Sequence, residues 1–299
     1  MIRIIPKLEI KGPNLVKGIH LEGLRVVGNP RDYAASYYLD GADELLYIDV
    51  VASLYGRNNL LDIISETAKN IFIPLTVGGG IRSINDINNI LRAGADKVAI
   101  NTAAINRPDL IKEAANRFGS QCVVISIEAK RREGGGYEAY TDNGRERTGV
   151  DVFDWAKKAV DLGAGEILVT SIDREGTGKG MDVDLISKIS ESVPVPVIAC
   201  GGAGSKEHFL EAINKGKADA VCAASVFHYH QLYSKDMDVE CKKEGNIEFL
   251  SRDQRVRKFL PSTIQPMDIR ELKSFLTEEG VCCRVLFKQK QESEVKHDA

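Results

Sequence analysis

The 299-residue chain is predicted to be an α/β protein, a (βα)8 barrel built from two similar half-barrels. Three observations predict this. Eight short, β-rich runs alternate with segments of helical spacing, the pattern of βαβ units and a parallel sheet. The first half of the chain is repeated in the second. Two glycine clusters, 78–80 and 201–204, end runs at equivalent positions of that repeat.

The expected strands are 2–10, 44–50, 74–77, 97–100, 122–128, 166–171, 196–199 and 220–223. Between them, 59–71, 86–92, 109–118, 152–162, 184–193 and 208–216 carry apolar residues at i, i+3 and i+4, the stripe a helix lays against a sheet. The repeat pairs GADELLYIDV (41–50) with GAGEILVTSI (163–172), and IPLTVGGGIRS (73–83) with VPVIACGGAGS (195–205). It also pairs GADKVAINTAA (94–104) with KADAVCAASVF (217–227), and IIPKLEIK (4–11) with VVISIEAK (123–130). Two matched halves of four units suit a closed barrel. They do not suit an open doubly wound sheet, whose strand order reverses in the middle. One domain is expected over 1–287, with a last helix at 268–279 closing the barrel. Residues 231–265 have no counterpart after the fourth strand and read as an insertion in the last βα loop. Its basic stretch 252–258 reads as a solvated face, and the charged tail 288–299 as disordered.

Composition narrows the function. Hydrophobic residues make up 43% and charged residues 28%, enough apolar material for a large core. The net charge of −3 gives no basic excess for nucleic acid and no polybasic block for a membrane surface. The N-terminus carries charge within its apolar pattern, unlike a secretory signal, and no run is long enough to span a bilayer, so a cytoplasmic protein is expected. None of the six cysteines forms a CxxC pair, and reduced thiols are expected. No metal or cofactor is expected: His228 and His230 lack a third ligand at a diagnostic spacing.

In a parallel barrel, reactive groups sit at the C-terminal ends of strands. That rule selects Gly79, Gly80, Asn101 and Thr102 in one half, and Gly201, Gly202, Ala224 and Ser225 in the other. Glycine lets backbone N–H groups approach an anion, and a following helix adds partial positive charge. Two such loops half a barrel apart suit two phosphates on one elongated ligand; tight βα turns also use glycine. Glu9 and Glu128 occupy matching positions in the first and fifth strands, each between apolar neighbours. Facing carboxyls serve as general acid and base when their surroundings separate their pKa values. The alternative is a pair of structural ion pairs, Glu9 with Lys11 and Glu128 with Lys130. Asp173 and its repeat mate Asp49 end the sixth and second strands, and suit either a polar ligand or loop backbone. Arg3, Glu44, Lys97 and Glu166 lie at or near strand starts, on the opposite face, where four charges of alternating sign would form a salt-bridge ring.

TVGGGIRS, GADKVAINTAA, GAGEILVTSIDREGT, IACGGAG and AASVFH together resemble the cyclase subunit of imidazole glycerol phosphate synthase. The likeness runs from about residue 3 to 228 and resumes over 268–284. It implies a barrel paired at its bottom face with a glutaminase subunit. Arg3, Glu44, Lys97 and Glu166 would then be an ammonia gate. Ammonia would pass through the barrel to cleave and cyclise a bis-phosphorylated aminoimidazole-carboxamide nucleotide. The phosphates would fall at Gly79, Gly80, Asn101 and Thr102 and at Asp173, Gly201, Gly202, Ala224 and Ser225. Glu128 would act as base and Glu9 as acid. The family has aspartate at both of these positions. The substitutions, PKLEIKGPN and the insertion look more like a branch associated with surface-polysaccharide genes. There, barrel and glutaminase would feed ammonia to a separate sugar-amidating enzyme. A phosphosugar isomerase acting alone has no need of a polar bottom gate.

Overall fold

The computed structural model describes residues 1–52, 60–234 and 261–284. The basic stretch 252–258, the tail 288–299 and most of the expected insertion lie outside the described residues.

Eight parallel strands form the barrel: β1 (Arg3–Lys11), β4 (Leu45–Asp49), β5 (Leu75–Gly78), β6 (Lys97–Ile100), β7 (Val123–Arg131), β10 (Glu166–Ser171), β11 (Val197–Cys200) and β12 (Ala220–Ala223). Each pairs with the next in this order, and β12 pairs with β1 to close the ring. All eight expected strands are present, with ends displaced by a few residues at most. The closing helix runs Ile269–Glu278 from its N-cap, Asp268, whose side chain accepts from Glu271 N.

Two antiparallel hairpins were not foreseen. β2 (Asn14–Ile19) and β3 (Glu22–Gly28) extend from β1; β8 (Tyr137–Thr141) and β9 (Glu146–Asp151) extend from β7. They arise at equivalent places in the two halves, so the repeat includes them. Their turns use left-handed residues that are not all glycine: His20 and Leu21 in one, Asp142, Asn143 and Gly144 in the other. That chemistry hides a hairpin from a search for Asn-Gly or Gly-rich dipeptides. The helix Pro30–Leu39 was also missed, because its apolar residues make no clear stripe. Its Asn29 N-cap, accepting from Arg31 N, followed by Pro at the first helical position, was the available signal.

Repeated aspartates stitch the strand starts together. Asp43, Asp96 and Asp219 accept the backbone N–H of Ile4, Leu75 and Val197 at 2.8, 2.8 and 2.9 Å, tying each to a neighbouring strand. The fourth repeat position is Gly165, where a Cβ would lie 2.1 Å from Ser120 O. The buried Lys273 of the closing helix donates to Gly41 O, Asp43 Oδ1 and Arg284 O at 2.7–2.9 Å, docking that helix on the first αβ loop.

The interior is layered. A ring of charge lies at the bottom. Above it Ile5, Leu46, Ala99, Val124, Leu168, Ile198, Ala220 and Cys222 form an apolar plug, distinct from the larger core between barrel and helices. A third, polar layer above the plug carries Lys7, Ser126 and Thr170, the next positions of the same alternation, with Glu9 and the half-buried Glu128 one step higher.

Candidate active site

A cavity of about 380 Å³ opens over the C-terminal ends of β4 to β7. Gly79, Gly80, Asn101, Thr102, Asp49 and Glu128 all line it. Gly79 has φ +95°, and a Cβ there would meet Asp49 O at 2.3 Å, so only glycine brings this loop so close to β4. The helix Ile84–Arg92 follows, capped by Ser83, which accepts from Asp86 N. Gly79→Ala is expected to impose about 1–3 kcal/mol of strain. Thermal unfolding should show a lower midpoint; an unchanged midpoint would mean that the loop relaxes without strain.

The β8–β9 turn folds over this cavity. Asp142 N donates to Thr102 Oγ1 at 3.1 Å, and Asn101 Nδ2 donates to Tyr140 O at 3.0 Å. Gly144 N donates to Glu128 Oε2 at 2.7 Å. Asn143, Arg82 and Arg107 also line the cavity. These three were not singled out from sequence. Arg82 lies in the loop before the helix Ile84–Arg92, and Arg107 ends the short helix Thr102–Asn106, so neither stands at a strand end.

Glu128 and Glu9 are in opposite electrostatic states. Burial is the largest influence on Glu128 and disfavours its charge. The pull of Lys7 and the Gly144 hydrogen bond offset it only in part, and the carboxyl is pushed up to about 7. Burial would also raise Glu9, but Lys17 and Lys7 outweigh it and hold that carboxyl down at about 2. Lys7 Nζ lies 2.8 Å from Glu9 Oε1 and Lys17 Nζ 3.1 Å from Oε2, while Lys17 also reaches Glu175 Oε1 at 2.7 Å. All four groups are buried, and Glu9 does not line the cavity. Proton donation from Glu9 therefore requires a lysine to move away.

The two ion pairs considered from sequence do not form. Glu9 is paired with Lys7, deeper on the same inward face, instead of Lys11. Lys130 lies over the Tyr140 ring, 5.5 Å from its centroid, while Glu128 takes a backbone donor. Lys17 and Glu175 were missed because they belong to a hairpin and a loop that only the fold brings to β1.

The second glycine cluster lies across the ring, after β11. Gly201, Gly202, Ala224 and Ser225 are buried. Gly202 O accepts from Gly180 N at 2.9 Å, and Gly204 O from Gln265 N at 2.7 Å. The chain returning from the insertion thus lies against this loop. Asp173 accepts from Arg131 N at 2.9 Å and faces a separate cavity with His20, Arg174 and Lys179. Asp49 accepts from Val51 N at 3.0 Å and also borders the Glu128 cavity. His228 is buried, stacked on Tyr37, with its Nδ1 2.6 Å from the Tyr37 hydroxyl.

At the opposite end the four predicted charges form a closed ring. Arg3 Nη1 lies 2.7 Å from Glu44 and 2.9 Å from Glu166, and Lys97 Nζ lies 3.2 Å and 3.0 Å from the same two carboxylates.

Residues 3–233 match the model of the family described as histidine biosynthesis protein. The chain belongs to that family. Curated relatives in this histidine biosynthesis family include three named imidazole glycerol phosphate synthase subunit HisF. One, from Legionella pneumophila, is 64% identical over 208 residues, covering 70% of this chain and 98% of the relative. Another, from Lachnoclostridium phytofermentans, is 53% identical over 79% of this chain and 92% of the relative. A third, from Bifidobacterium longum, is 49% identical over 82% of this chain and 97% of the relative. The histidine biosynthesis family match ends at residue 233, close to where the last βα unit gives way to the insertion expected from sequence.

Proposed function

We propose that the chain is the cyclase subunit of an imidazole glycerol phosphate synthase-type enzyme. It takes ammonia at the bottom face and uses it on a phosphorylated nucleotide held at the top. The observation that carries this is Glu128: a half-buried carboxyl poised near 7 on the wall of a cavity whose lining includes a phosphate-type glycine loop. A general base works best with a pKa near the working pH. One phosphate would lie against Gly79, Gly80, Asn101 and Thr102, and a second across the barrel near Asp173, Gly201, Gly202, Ala224 and Ser225.

The partner would be a glutaminase docked over Arg3, Glu44, Lys97 and Glu166. With every member doubly paired, the ring is shut to solvent-borne cations, and a partner delivers ammonia by moving one member aside. Lys97→Ala is expected to lower the product formed per glutamine consumed in the reconstituted pair. An unchanged ratio would remove the gate from the proposal.

The clamped state of Glu9 favours a second reading. With one carboxyl of the pair engaged by two lysines, the barrel would conduct ammonia and bind ligand without cyclising, leaving the nitrogen to a sugar-amidating enzyme. One experiment separates the readings. The purified chain is mixed with the bis-phosphorylated aminoimidazole-carboxamide nucleotide and a high concentration of ammonium at alkaline pH, and loss of nucleotide absorbance is followed. Turnover supports the cyclase; binding without turnover supports the second reading.

A further inference from the structure

We infer that Lys7 is a positioning residue for the site: its buried ammonium pins Glu9 as a fixed anion, so that Glu128 alone is left to exchange protons with whatever fills the cavity. The inference deepens the reading proposed above and rests on it for the word site, but its geometry is independent of the ligand.

Lys7 lies on β1 just above the apolar plug. Its Cα pairs with Leu46, a plug residue, and Glu9 one step higher pairs with Ile48. Its side chain is 6% exposed, and its ammonium has a carboxylate oxygen at 2.8 Å. A lysine has little reason to be buried at such a place unless a charge needs it. The charged and titratable groups acting on it come from every side. Glu9 shares its strand, Lys17 belongs to β2 and Glu175 to the loop after β10. Cys200 and Cys222 sit on β11 and β12, Glu128 on β7, and His228 on the helix Ser225–Ser234. Of the carboxylates, Glu9 and Glu175 are anchored by lysines at 2.7–3.1 Å. Among the described residues Glu128 has only a backbone N–H for a partner, and it feels Lys7 without being captured by it.

The test is difference infrared spectroscopy of the carboxyl C=O band during pH titration of the whole chain, which needs neither substrate nor partner. The native chain should show one protonated carboxyl titrating near 7 that Glu128→Gln removes. Lys7→Met should move that titration upward by about one pH unit or more, the usual effect of losing a nearby opposite charge. It should also bring a second carboxyl into the titration, one that Glu9→Gln removes. If Lys7→Met does not fold, Glu9→Gln alone decides. Removing the Glu9 charge while Lys7 stays should lower the Glu128 titration. Unchanged titrations in the folded variant overturn the inference. So does a rise in the Glu128 titration with Glu9→Gln. Failure of nucleotide turnover would count against the cyclase reading and leave this result standing.

Discussion

Replacing Glu128 by Gln is expected to lower ammonia-dependent turnover of the bis-phosphorylated nucleotide by about 10²–10⁴-fold, the contribution of a positioned general base. The same variant should be more stable than the native chain at alkaline pH. Glu128 has a folded-state pKa of about 7 against an ordinary 4.5. The stability it contributes is fully present below about 4.5 and is lost as pH rises through about 7. The loss above pH 7 is of order 3 kcal/mol at most. Gln escapes that penalty, so urea unfolding at pH 9 should show a gain that vanishes at pH 4. At a constant concentration of neutral ammonia the native rate should rise through pH 7, as the carboxyl becomes a base. A variant that is inactive and yet more stable identifies a side chain kept for chemistry. A variant that is fully active would remove Glu128 from the reaction.

Lys17→Met is expected to destabilise the fold by about 3–5 kcal/mol at pH 7, the usual consequence of deleting one partner of a buried ion pair. Lys17 is 2% exposed at its side chain and bridges Glu9 and Glu175; without it Glu175 loses its only ion-pair partner among the described residues and Glu9 keeps one lysine. The sign of the pH dependence follows from Glu9. With its folded-state pKa lowered to about 2, its stabilising contribution is present above about 4.5 and is lost as pH falls through 2. The Lys17→Met penalty should therefore be largest above pH 5 and shrink toward pH 2. Urea midpoints with an unchanged denaturant slope measure it. A penalty below about 1 kcal/mol at pH 7 would mean that the network is solvated and does not clamp Glu9.

Much of this protein was legible before any coordinates. The barrel was, because eight β-rich runs must bury both faces, and helices between them are the means. The half-barrel repeat was, because each matched pair ends a strand with the same loop. The bottom ring was also legible. Arg3, Glu44, Lys97 and Glu166 lie at or near strand starts with alternating sign, and among the described residues they pair with one another. The hairpins were not, since their turns rest on left-handed His20, Leu21, Asp142 and Asn143, residue types that do not announce that conformation.

The sequence by itself determined the architecture and set Glu9 and Glu128 at matching strand positions, because periodicity and strand ends are local properties. Tertiary structure decided most of how the carboxylates differ. Glu9 and Glu128 stand at equivalent repeat positions, and the local difference is Lys7 two residues before Glu9, where Ser126 precedes Glu128. Lys17 from β2, itself held by Glu175 from a distant loop, reaches Glu9, while Gly144 from the β8–β9 turn reaches Glu128. A pKa is set by the charges and solvent within a few ångströms, and those neighbours lie far apart along the chain until the barrel closes.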